Sequence, residues 1–343
     1  MKAVVKTAAG VGNVELLDRP EPVAGPGQVV LEVSHAGICG TDLHIYLDEY
    51  RAVPPVTLGH EVAGTVAHVG EGVRDVRIGE RVVPETYFFV CGRCPQCQAG
   101  RPNLCPERRS IGTHVDGGFA RYVVVPASRL HRIPDGLDLR AAAMAEPLAC
   151  CIHALLDLAQ IKPGDTVVVS GPGPIGLLCL QVAKAAGARP VLVGAPGDES
   201  RLEVGRRVGA SHVATVGADD PGALVAELTD GAGPDVCVEA AGAPPSLRQC
   251  LEWVRRGGTI VQVGLYARPF EVDANLVPMK ELRYVGSFAH VPPAWDRALR
   301  MLAEGQVQAQ PLISDVAPLD RWHEKFESLR AKRDCKVLLT PIG

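Results

Sequence analysis

The sequence lacks long hydrophobic runs and lacks any run of basic residues. Its 343 residues carry 35 lysines and arginines against 39 aspartates and glutamates, for a formal net charge of −4. No apolar stretch approaches the roughly 20 residues needed to span a bilayer. The segment Met1–Val5 turns polar too early to begin the core of a signal peptide. These absences argue against membrane and nucleic-acid partners, and we expect a cytoplasmic protein.

Cysteine, in contrast, is frequent, with 11 residues in the chain. The number is odd and four of the cysteines are closely spaced, which in a cytoplasmic protein favours a metal site over disulfides. The four are Cys91, Cys94, Cys97 and Cys105. Because four thiolates close a tetrahedral Zn²⁺ site without an open position, this spacing predicts a structural zinc. Two disulfides or an iron–sulfur cluster are the alternative interpretations.

A second candidate metal site combines Cys39 with His60 and Glu61. A thiol, an imidazole and a carboxylate form a mixed ligand set that zinc accepts. A catalytic zinc keeps three protein ligands and leaves its fourth position open to water or substrate. On the pattern alone, a structural role for a cysteine and a histidine close to glycines is the competing interpretation.

The order of the secondary-structure signals predicts two domains of different classes. From residue 1 to about residue 127, short β-branched runs separated by glycine and proline indicate a barrel-like, mostly β module. From Thr166 to Ser287, strand-like and helix-like segments alternate, which predicts an α/β domain with a doubly wound parallel sheet. We expect a catalytic domain of residues 1–152 plus 290–343 and an inserted dinucleotide-binding domain of residues 153–289. The chemistry is expected in the cleft between them.

The first strand of the inserted domain leads into a glycine-rich loop, Gly171-Pro172-Gly173-Pro174-Ile175-Gly176, and then into an amphipathic helix. This order of strand, loop and helix is the Rossmann context in which G-x-G-x-x-G binds a dinucleotide. Gly171 allows the tight turn, Gly173 lets the backbone approach the pyrophosphate, and Gly176 lets the helix pack on the strand. The helix N-terminus favours the phosphate charge. Further candidates for cofactor binding are Pro174 and Ile175 in the loop, and Val263, Gly264 and Leu265 at the end of a later strand.

The choice between NAD and NADP depends on the segment after the second strand of this domain. An acid at that strand end would bind the ribose 2′-hydroxyl of NAD, but the sequence has Ala195 there. Asp198 could reach the ribose from a longer turn, whereas Arg201 could pair with the 2′-phosphate of NADP. Both could instead be surface residues that cap the next helix. NAD is the favoured cofactor.

Apolar residues recur at three- and four-residue spacing from Leu137 to Leu158, which predicts a helix. We expect this helix to start at a cap formed by Asp135 and to be kinked or divided at Pro147. Glu146 places a charge in this apolar segment. The pattern alone favours a solvated or ion-paired glutamate over a metal ligand.

Taken together, these motifs resemble those of the zinc-dependent medium-chain dehydrogenases over essentially the whole chain. The polyol (sorbitol) dehydrogenases and the L-threonine 3-dehydrogenases are the most similar groups. The matching strings are Gly37–His44, Gly59–Gly64, the four-cysteine segment, Glu146–Leu148 and the glycine loop. The resemblance implies a GroES-like fold for the catalytic domain. It also implies a homo-oligomer, either a dimer or a tetramer.

The resemblance assigns roles to individual residues as well. It implies that the cysteine, histidine and glutamate of the mixed site hold a catalytic zinc, one of two zinc ions per chain. It implies that Glu146 can approach this metal as a further, exchangeable ligand, which replaces the interpretation from the pattern. It also implies a proton relay from the substrate through Thr41 and His44, which is reasonable because an imidazole titrates near neutrality.

The predicted reaction is transfer of hydride from a secondary alcohol to NAD or NADP. Threonine dehydrogenases carry a histidine near the active site where this chain has Tyr87. A polyol or vicinal diol similar to sorbitol is therefore the favoured substrate, and L-threonine is the alternative. Two other classes stay open: a zinc-free relative similar to the quinone reductases, and a nucleotide-binding protein without turnover.

Overall fold

The computed structural model describes residues 1–342, which form two compact units. Unit 1 contains Met1–Glu146, Val291–Ala303 and the chain from Ile313 onward. Unit 2 contains Pro147–His290 and Glu304–Leu312. The predicted domain bounds stay a prediction, and the compact units differ from them in placing 147–152, His290 and 304–312 with the second unit.

Strands follow one another in much of the N-terminal part of the described chain, whereas strands and helices alternate from residue 166 to residue 286. The strands are β1 (Lys2–Lys6), β2 (Val14–Asp18), β3 (Gln28–Gly37), β4 (Val56–Thr57), β5 (Glu61–Val69), β6 (Arg81–Pro84), β7 (Tyr87–Phe89), β8 (Arg109–Ser110), β9 (Tyr122–Pro126), β10 (Leu130–Arg132), β11 (Thr166–Ser170), β12 (Arg189–Gly194), β13 (His212–Thr215), β14 (Val236–Glu239), β15 (Thr259–Gln262), β16 (Arg283–Gly286), β17 (Ile313–Pro318) and β18 (Lys336–Thr340). The α-helices are α1 (Gly40–Tyr46), α2 (Pro95–Gln98), α3 (Leu139–Ala142), α4 (Ala145–Ile152), α5 (Pro174–Ala185), α6 (Glu199–Val208), α7 (Pro221–Leu228), α8 (Pro244–Trp253), α9 (Leu276–Met279), α10 (Pro292–Ala303) and α11 (Trp322–Arg330).

Unit 1 is built around a mostly β module, as the short β-branched runs predict. Its larger sheet has the strand order β10-β6-β5-β3-β18-β17, and β9 also pairs with β3. The strand β3 is central because its 10 residues are long enough to pair with β5, β9 and β18. Leu31 on β3 is completely buried in the core of this unit, together with Phe119 and Phe326, whose rings meet edge-on at 6.5 Å.

The C-terminal strand completes the sheet that begins near the N-terminus. In the antiparallel pairing of β18 with β3, Leu338 lies opposite Gly37 and Leu339 lies opposite Ala36. On its other side β18 pairs in parallel with β17. The segment 336–340 is therefore held between one neighbour that is close in sequence and one that is about 300 residues away.

Unit 2 contains a six-stranded sheet in the order β13-β12-β11-β14-β15-β16, with every pair parallel. Counted from its first strand, this order is 3-2-1-4-5-6, that of the doubly wound dinucleotide-binding fold. All five residues of β11 are buried, as expected for a parallel strand covered on both faces. The predicted fold class is confirmed.

The helical segment around residues 137–158 differs from the prediction in two details. The N-cap of α3 is Asp138 rather than Asp135, and the Asp138 carboxylate accepts a hydrogen bond from the Ala141 amide at 2.6 Å. The segment is divided between α3 and α4 rather than at Pro147. Pro147 lies in the first turn of α4, where an amide has no intrahelical acceptor and a proline therefore costs no hydrogen bond. The helix continues as the π-helical segment His153–Ala159.

Among residues 1–342, none of the helices combines the length and the apolar character that a membrane span requires.

Candidate active site and metal centres

The pairing of β3 with β5 brings the mixed ligand set together. Gly37 at the end of β3 lies directly opposite Glu61 at the start of β5. Cys39 follows the end of β3, and His60 precedes β5. One ligand atom each from Cys39, His60 and Glu61 lies within 4.8 Å of the others. Two ligands of one zinc ion are separated by about 3–4 Å, so the three groups need only a small adjustment to share an ion.

His60 has the surroundings of a metal ligand rather than of a core histidine. The residue is 7% exposed, yet its Nδ1 has no hydrogen-bond partner. The carboxylate of Asp42, which is fully buried, lies 3.8 Å from this nitrogen, beyond hydrogen-bond distance. A carboxylate beside one ring nitrogen is the usual support for a histidine that binds metal through the other nitrogen. The site therefore fits a metal with Asp42 as support.

The electrostatics of the site favour a cation. Burial lowers the pKa of His60, but the nearby groups of Cys39, Asp42 and Glu146 outweigh burial and raise it well above its ordinary value. Burial in turn raises the pKa of the Asp42 carboxyl. A negative environment strong enough to reverse the desolvation penalty of an imidazolium also attracts a divalent cation.

Glu61 forms a buried ion pair with Lys336, which lies 275 residues later in the sequence. Lys336 Nζ lies 2.8 Å from both Glu61 carboxylate oxygens and donates a third hydrogen bond to the Ile38 carbonyl at 2.9 Å. Lys336 is 2% exposed and Glu61 is completely buried. Burial lowers the pKa of the lysine, but Glu61 and then Cys39 reverse this and raise it. The pair holds the carboxylate beside the candidate metal position.

The position of the Glu61 carboxylate also requires that residue 37 be a glycine. A Cβ atom at Gly37 would lie 2.0 Å from Glu61 Oε2. Because Lys336 binds both carboxylate oxygens, the Glu61 side chain cannot move away from an added Cβ without breaking the ion pair. A glycine at position 37 is therefore a packing requirement of the site.

The three remaining predicted residues lie at different positions around this cluster. Thr41 Oγ1 lies 3.7 Å from the Cys39 sulfur. His44 lies one turn further along α1, and its Nδ1 is 2.7 Å from Glu49, with about a third of each side chain exposed. Glu146, 7% exposed, acts on His60 through its charge but is not part of the group whose ligand atoms lie within 4.8 Å.

Sequence reasoning missed two residues of this site. Asp42 stands in the matched string, and its carboxylate accepts a hydrogen bond from the Cys39 amide at 2.9 Å. Lys336 is the first residue of a strand that continues with three apolar residues. A lysine at the start of such a run could have indicated a buried charge that needs a partner. Its partner could not be identified from that signal, because the ion pair depends on the register of β18 against β3.

The four cysteines of the second candidate site also come together. Their sulfurs lie within 4.8 Å of one another, and all four are free thiols. Backbone amides point at the sulfurs: Cys91 N to Cys105 Sγ, Cys94 N to Cys91 Sγ and Cys97 N to Cys94 Sγ, each at 3.4 Å. Amide donors of this kind stabilise thiolates.

The four thiols differ in acidity. The amides of Arg93 and Cys94 lower the pKa of Cys91 to about 7. Burial, with hydrogen bonds to neighbouring sulfurs, raises the pKa of Cys97 to about 12. Adjacent thiolates repel one another, so a cation is needed for all four to be ionised together. This donor set fits zinc and offers it no open position.

The glycine loop of unit 2 has the geometry of a phosphate-binding turn. Gly171 has φ +104°, and a Cβ there would lie 2.7 Å from the Ala241 backbone. A Cβ at Gly176 would lie 1.8 Å from the Gly171 carbonyl, whereas one at Gly173 would meet nothing within 4 Å. Gly173 is the N-cap of α5 and provides no side-chain cap. The first amides of the 12-residue helix are therefore available to an anion.

Pro174 and Ile175 are the first two residues of α5. The other predicted cofactor residues follow strand ends of the same sheet. The amides of Val263 and Gly264 both donate to the Glu239 carbonyl at 2.9 Å, and Leu265 is 46% exposed. These residues follow β15, so they lie at the C-terminal edge of the parallel strands, where ligands of this fold bind.

The candidate ribose-binding residues contact each other. Asp198 Oδ2 accepts a hydrogen bond from the Ala195 amide at 3.1 Å, and Asp198 is 5% exposed. Arg201 Nη1 lies 4.0 Å from Asp198 Oδ1. The aspartate therefore stabilises the turn after β12 and partly offsets the charge of the arginine.

We expect Lys336→Met to lower the free energy of unfolding by about 3–5 kcal/mol, because it leaves the Glu61 carboxylate buried without a partner. Added zinc should then raise the melting temperature of the variant more than that of the native protein, since the cation replaces the lost charge. Thermal unfolding with and without zinc measures both effects, and any contribution of the four-cysteine site cancels between the proteins. Lys336→Arg, which keeps the charge, is the control. Equal zinc-induced shifts in native and Met proteins would contradict the assigned role.

Comparisons with known proteins identify the family of the chain. The Alcohol dehydrogenase GroES-like domain family matches residues 25–135, and the Zinc-binding dehydrogenase family matches residues 174–304. A sorbitol dehydrogenase of Halalkalibacterium halodurans is 42% identical over 100% of both chains. A D-arabitol-phosphate dehydrogenase of Enterococcus avium is 38% identical over 99% of this chain and 97% of its own.

Among solved structures, a protein of Sinorhizobium meliloti 1021 described as a zinc-binding dehydrogenase, bound to NADP, has a TM-score of 0.90. It is 38% identical, and the match covers 99% of each chain. The likeness therefore extends over both compact units rather than over one of them. The chain belongs to the zinc-dependent medium-chain alcohol and polyol dehydrogenases, enzymes that use a nicotinamide cofactor.

Proposed function

We propose that this protein oxidises a secondary alcohol of a polyol or vicinal diol to the ketone, with zinc and a nicotinamide dinucleotide. The observation that carries the proposal is the cluster of Cys39, His60 and Glu61, whose three ligand atoms within 4.8 Å leave room for a fourth ligand. The relatives named for sorbitol and for D-arabitol phosphate both act on open-chain polyols, which supports this substrate class.

The proposed reaction removes a hydride from the carbinol carbon and a proton from its hydroxyl. Zinc held by the three ligands would supply Lewis acidity that lowers the pKa of a bound hydroxyl, as it lowers the pKa of bound water. A nicotinamide dinucleotide held at the glycine loop of unit 2 would accept the hydride. The site's own residues keep the carboxylate of Glu61 in place through Lys336 and orient His60 beside Asp42.

Thr41, His44 and Glu49 form the proposed path for the proton. Thr41 and His44 are three residues apart on α1 and so lie on one face of the helix. The threonine hydroxyl is near the Cys39 sulfur, and His44 is hydrogen-bonded to Glu49 with both side chains partly exposed. A hydroxyl followed by an imidazole that reaches water is a reasonable relay.

We propose two zinc ions per chain, one at each cluster. The mixed site would be catalytic, with Glu146 as an exchangeable fourth ligand. The four-cysteine site would be structural, because its four thiols satisfy a tetrahedral ion completely. None of the 11 cysteines, which all lie in the described part of the chain, forms a disulfide, which favours a reducing compartment such as the cytoplasm.

We propose NAD as the cofactor. The negative charge of Asp198 lies 4.0 Å from the Arg201 guanidinium, so this arginine has less positive charge to offer a 2′-phosphate. The same carboxylate braces the turn at Ala195 where the adenosine ribose of a dinucleotide binds in this fold. Binding of NADP would require Arg201 to leave that ion pair.

The proposed homo-oligomer forms through the edge strand β16. This strand pairs with β15 on one side only. Large apolar residues are exposed on it and on segments near it in sequence: Leu265, Val272, Met279, Tyr284 and Phe288. An open sheet edge surrounded by exposed apolar side chains is suited to pairing with a second copy about a two-fold axis.

L-Threonine is the rival substrate, and Tyr87 argues against it. The residue is completely buried, and the Arg108 guanidinium lies 5.7 Å from the centre of its ring. A buried phenol in place of the histidine typical of threonine dehydrogenases removes a group that could titrate near the substrate.

The direct test is oxidation of sorbitol, 2,3-butanediol and L-threonine, each with NAD and with NADP. We expect turnover of a polyol or diol with a higher kcat/KM than L-threonine, and a higher kcat/KM with NAD than with NADP. A preference for L-threonine would reverse the substrate assignment. Absence of hydride transfer from every alcohol would favour a quinone-reductase-like or non-catalytic protein.

Substitutions at the two metal sites should have different effects. Cys39→Ser should abolish turnover with little change in melting temperature, because it alters only the open site. Cys97→Ser should instead lower the melting temperature, because a structural zinc contributes folding free energy. Metal analysis should show one zinc fewer per chain in each variant. Identical behaviour of the two variants would contradict this division of roles.

Charge placed on the β16 edge should dissociate the oligomer. We expect the double variant Tyr284→Lys with Phe288→Lys to elute as a smaller species in size-exclusion chromatography with light scattering, because the lysines repel across the two-fold axis. Val23→Lys is the control, since Val23 is 86% exposed and lies in unit 1. An unchanged mass for the double variant would place the interface elsewhere.

A further inference from the structure

Unit 1 carries a local excess of positive charge in the loops that follow the four-cysteine segment. Arg51, Arg108 and Arg109 all act electrostatically on the imidazole of His114, and no carboxylate contributes an opposing effect there. We call these four residues the basic patch. In a chain with a net charge of −4, three arginines around one imidazole point to an anionic ligand.

Two of the arginines have no internal partner. Arg51 and Arg109 are exposed, and neither forms an ion pair with a carboxylate in residues 1–342. The acids near them in sequence bind other groups: Glu49 pairs with His44 at 2.7 Å, Glu107 with Arg93 at 3.3 Å and Asp116 with Arg19 at 3.1 Å. The charge of the two arginines is therefore available to a ligand.

The orientation of His114 adds a neutral donor to the patch. The Ser110 amide donates to His114 Nδ1 at 3.3 Å, and Thr113 Oγ1 lies 2.9 Å from the same nitrogen. Because an amide always donates, Nδ1 is the acceptor and the neutral ring carries its hydrogen on Nε2. Burial and then the arginines lower the pKa of His114, so the ring is neutral near pH 7. Nε2 makes no hydrogen bond with the described residues.

The basic patch is continuous with the proposed catalytic site at Gly112. A Cβ atom at Gly112 would lie 2.9 Å from the carbonyl of Gly59, and Gly59 directly precedes the ligand His60. His114 is two residues after Gly112, so their Cα atoms are at most about 7.6 Å apart. The loop that carries His114 therefore packs against the segment that carries the proposed ligand His60.

The other side of the patch is joined to the proposed proton relay. The amides of Glu49 and Tyr50 donate to the His44 carbonyl at 2.8 and 3.2 Å, so Arg51 directly follows a turn held by the relay histidine. The Val53 amide then donates to the Thr113 carbonyl at 2.8 Å. These bonds fix the Arg51 segment against the His114 loop.

We propose that the basic patch binds the phosphate group of a phosphorylated polyol, whose hydroxyl is oxidised at the neighbouring site. The inference rests on the proposed function and narrows its substrate to a phosphomonoester. A phosphomonoester carries about −1.5 to −2 charges at pH 7, and it accepts bidentate hydrogen bonds from arginine. Arg51 and Arg109 supply the charge, Arg108 adds to the positive potential, and His114 Nε2 donates a hydrogen bond.

The kinetic test compares sorbitol 6-phosphate with sorbitol as substrates of the native protein and of the double variant Arg51→Gln with Arg109→Gln. We expect the native protein to show the higher kcat/KM for the phosphate ester. In the variant, KM for the ester should rise about tenfold or more while kcat changes little, because two charge-assisted hydrogen bonds are lost away from the reacting carbon. The ratio of kcat/KM between ester and polyol should fall correspondingly.

Arg77→Gln is the matched control for this experiment. Arg77 is an exposed arginine of the same unit and is not among the residues that act on His114. Its substitution changes the net charge without touching the patch, so the ratio between ester and polyol should stay at the native value. An equal fall in both variants would mean that overall charge, rather than the patch, attracts the ester.

A second measurement separates phosphate binding from turnover. Inorganic phosphate titrated into the native protein should shift the His114 imidazole resonances in NMR spectra, and the double variant should need a roughly tenfold higher concentration for the same shift. Sulfate and acetate at equal ionic strength are the comparison anions, and an equal response to acetate would overturn the assignment to a phosphate.

The outcomes distinguish this inference from the proposed function. If sorbitol is oxidised as well as its phosphate and the double variant behaves as native, the inference fails and the proposed function stands. If no alcohol is oxidised but phosphate shifts His114 in the native protein only, the patch binds phosphate and the polyol reaction is wrong. If phosphate produces no shift and the ester is not preferred, the patch is not a phosphate site.

Discussion

The buried ion pair between Glu61 and Lys336 is the interaction on which the proposed catalytic site depends. Both groups are removed from water, and either charge left alone in that position would cost several kcal/mol. The pair therefore forms only if β18 lies against β3 in the observed register. The cluster of Cys39, His60 and Glu61 lies within the first 61 residues, and it is completed by a strand that begins at residue 336.

The two proposed metal sites differ in how their negative charge is compensated. In the mixed site, Lys336 offsets the charge of one carboxylate, and the Asp42 carboxylate lies beside His60, so the negative charge around the candidate metal position is partly compensated by side chains. The four-cysteine site has no such internal cation among its ligands. Its thiols lie in a loop and are stabilised by backbone amides instead. A site that must keep an open position needs supporting side chains, whereas a closed site satisfies its ion with ligands alone.

Charge also organises the chain beyond its metal sites. The acids close in sequence to Arg51 and Arg109 pair with other residues, so the charge of these two arginines is not compensated. Arg51 directly follows the turn after His44, the histidine of the proposed proton relay. In unit 2, Asp198 instead compensates Arg201 within the same turn. Arg51 and Arg109 thus carry uncompensated positive charge near the proposed substrate site, whereas the charge of Arg201 near the ribose position is partly compensated by Asp198.

Much of the architecture could be predicted from the sequence, because its signals are local. The β-branched run Thr166–Ser170 followed by the glycine loop identified the doubly wound sheet, since the strand, the turn and the helix are contiguous. The helix around residue 147 was predicted less well. Pro147 signals a break only if it is internal, and its position in a first turn depends on where α4 begins.

The sequence by itself determined which residue types form the candidate metal sites and where the glycine loop lies, because both are short strings in which spacing limits geometry. Only the tertiary structure decided what surrounds them. Lys336 meets Glu61 across 275 residues, and Arg51 and Arg109 act on one histidine although 58 residues separate them in the sequence. Such contacts follow from strand register and loop packing, which are set when distant segments pack together in one core. No local pattern of residues encodes them.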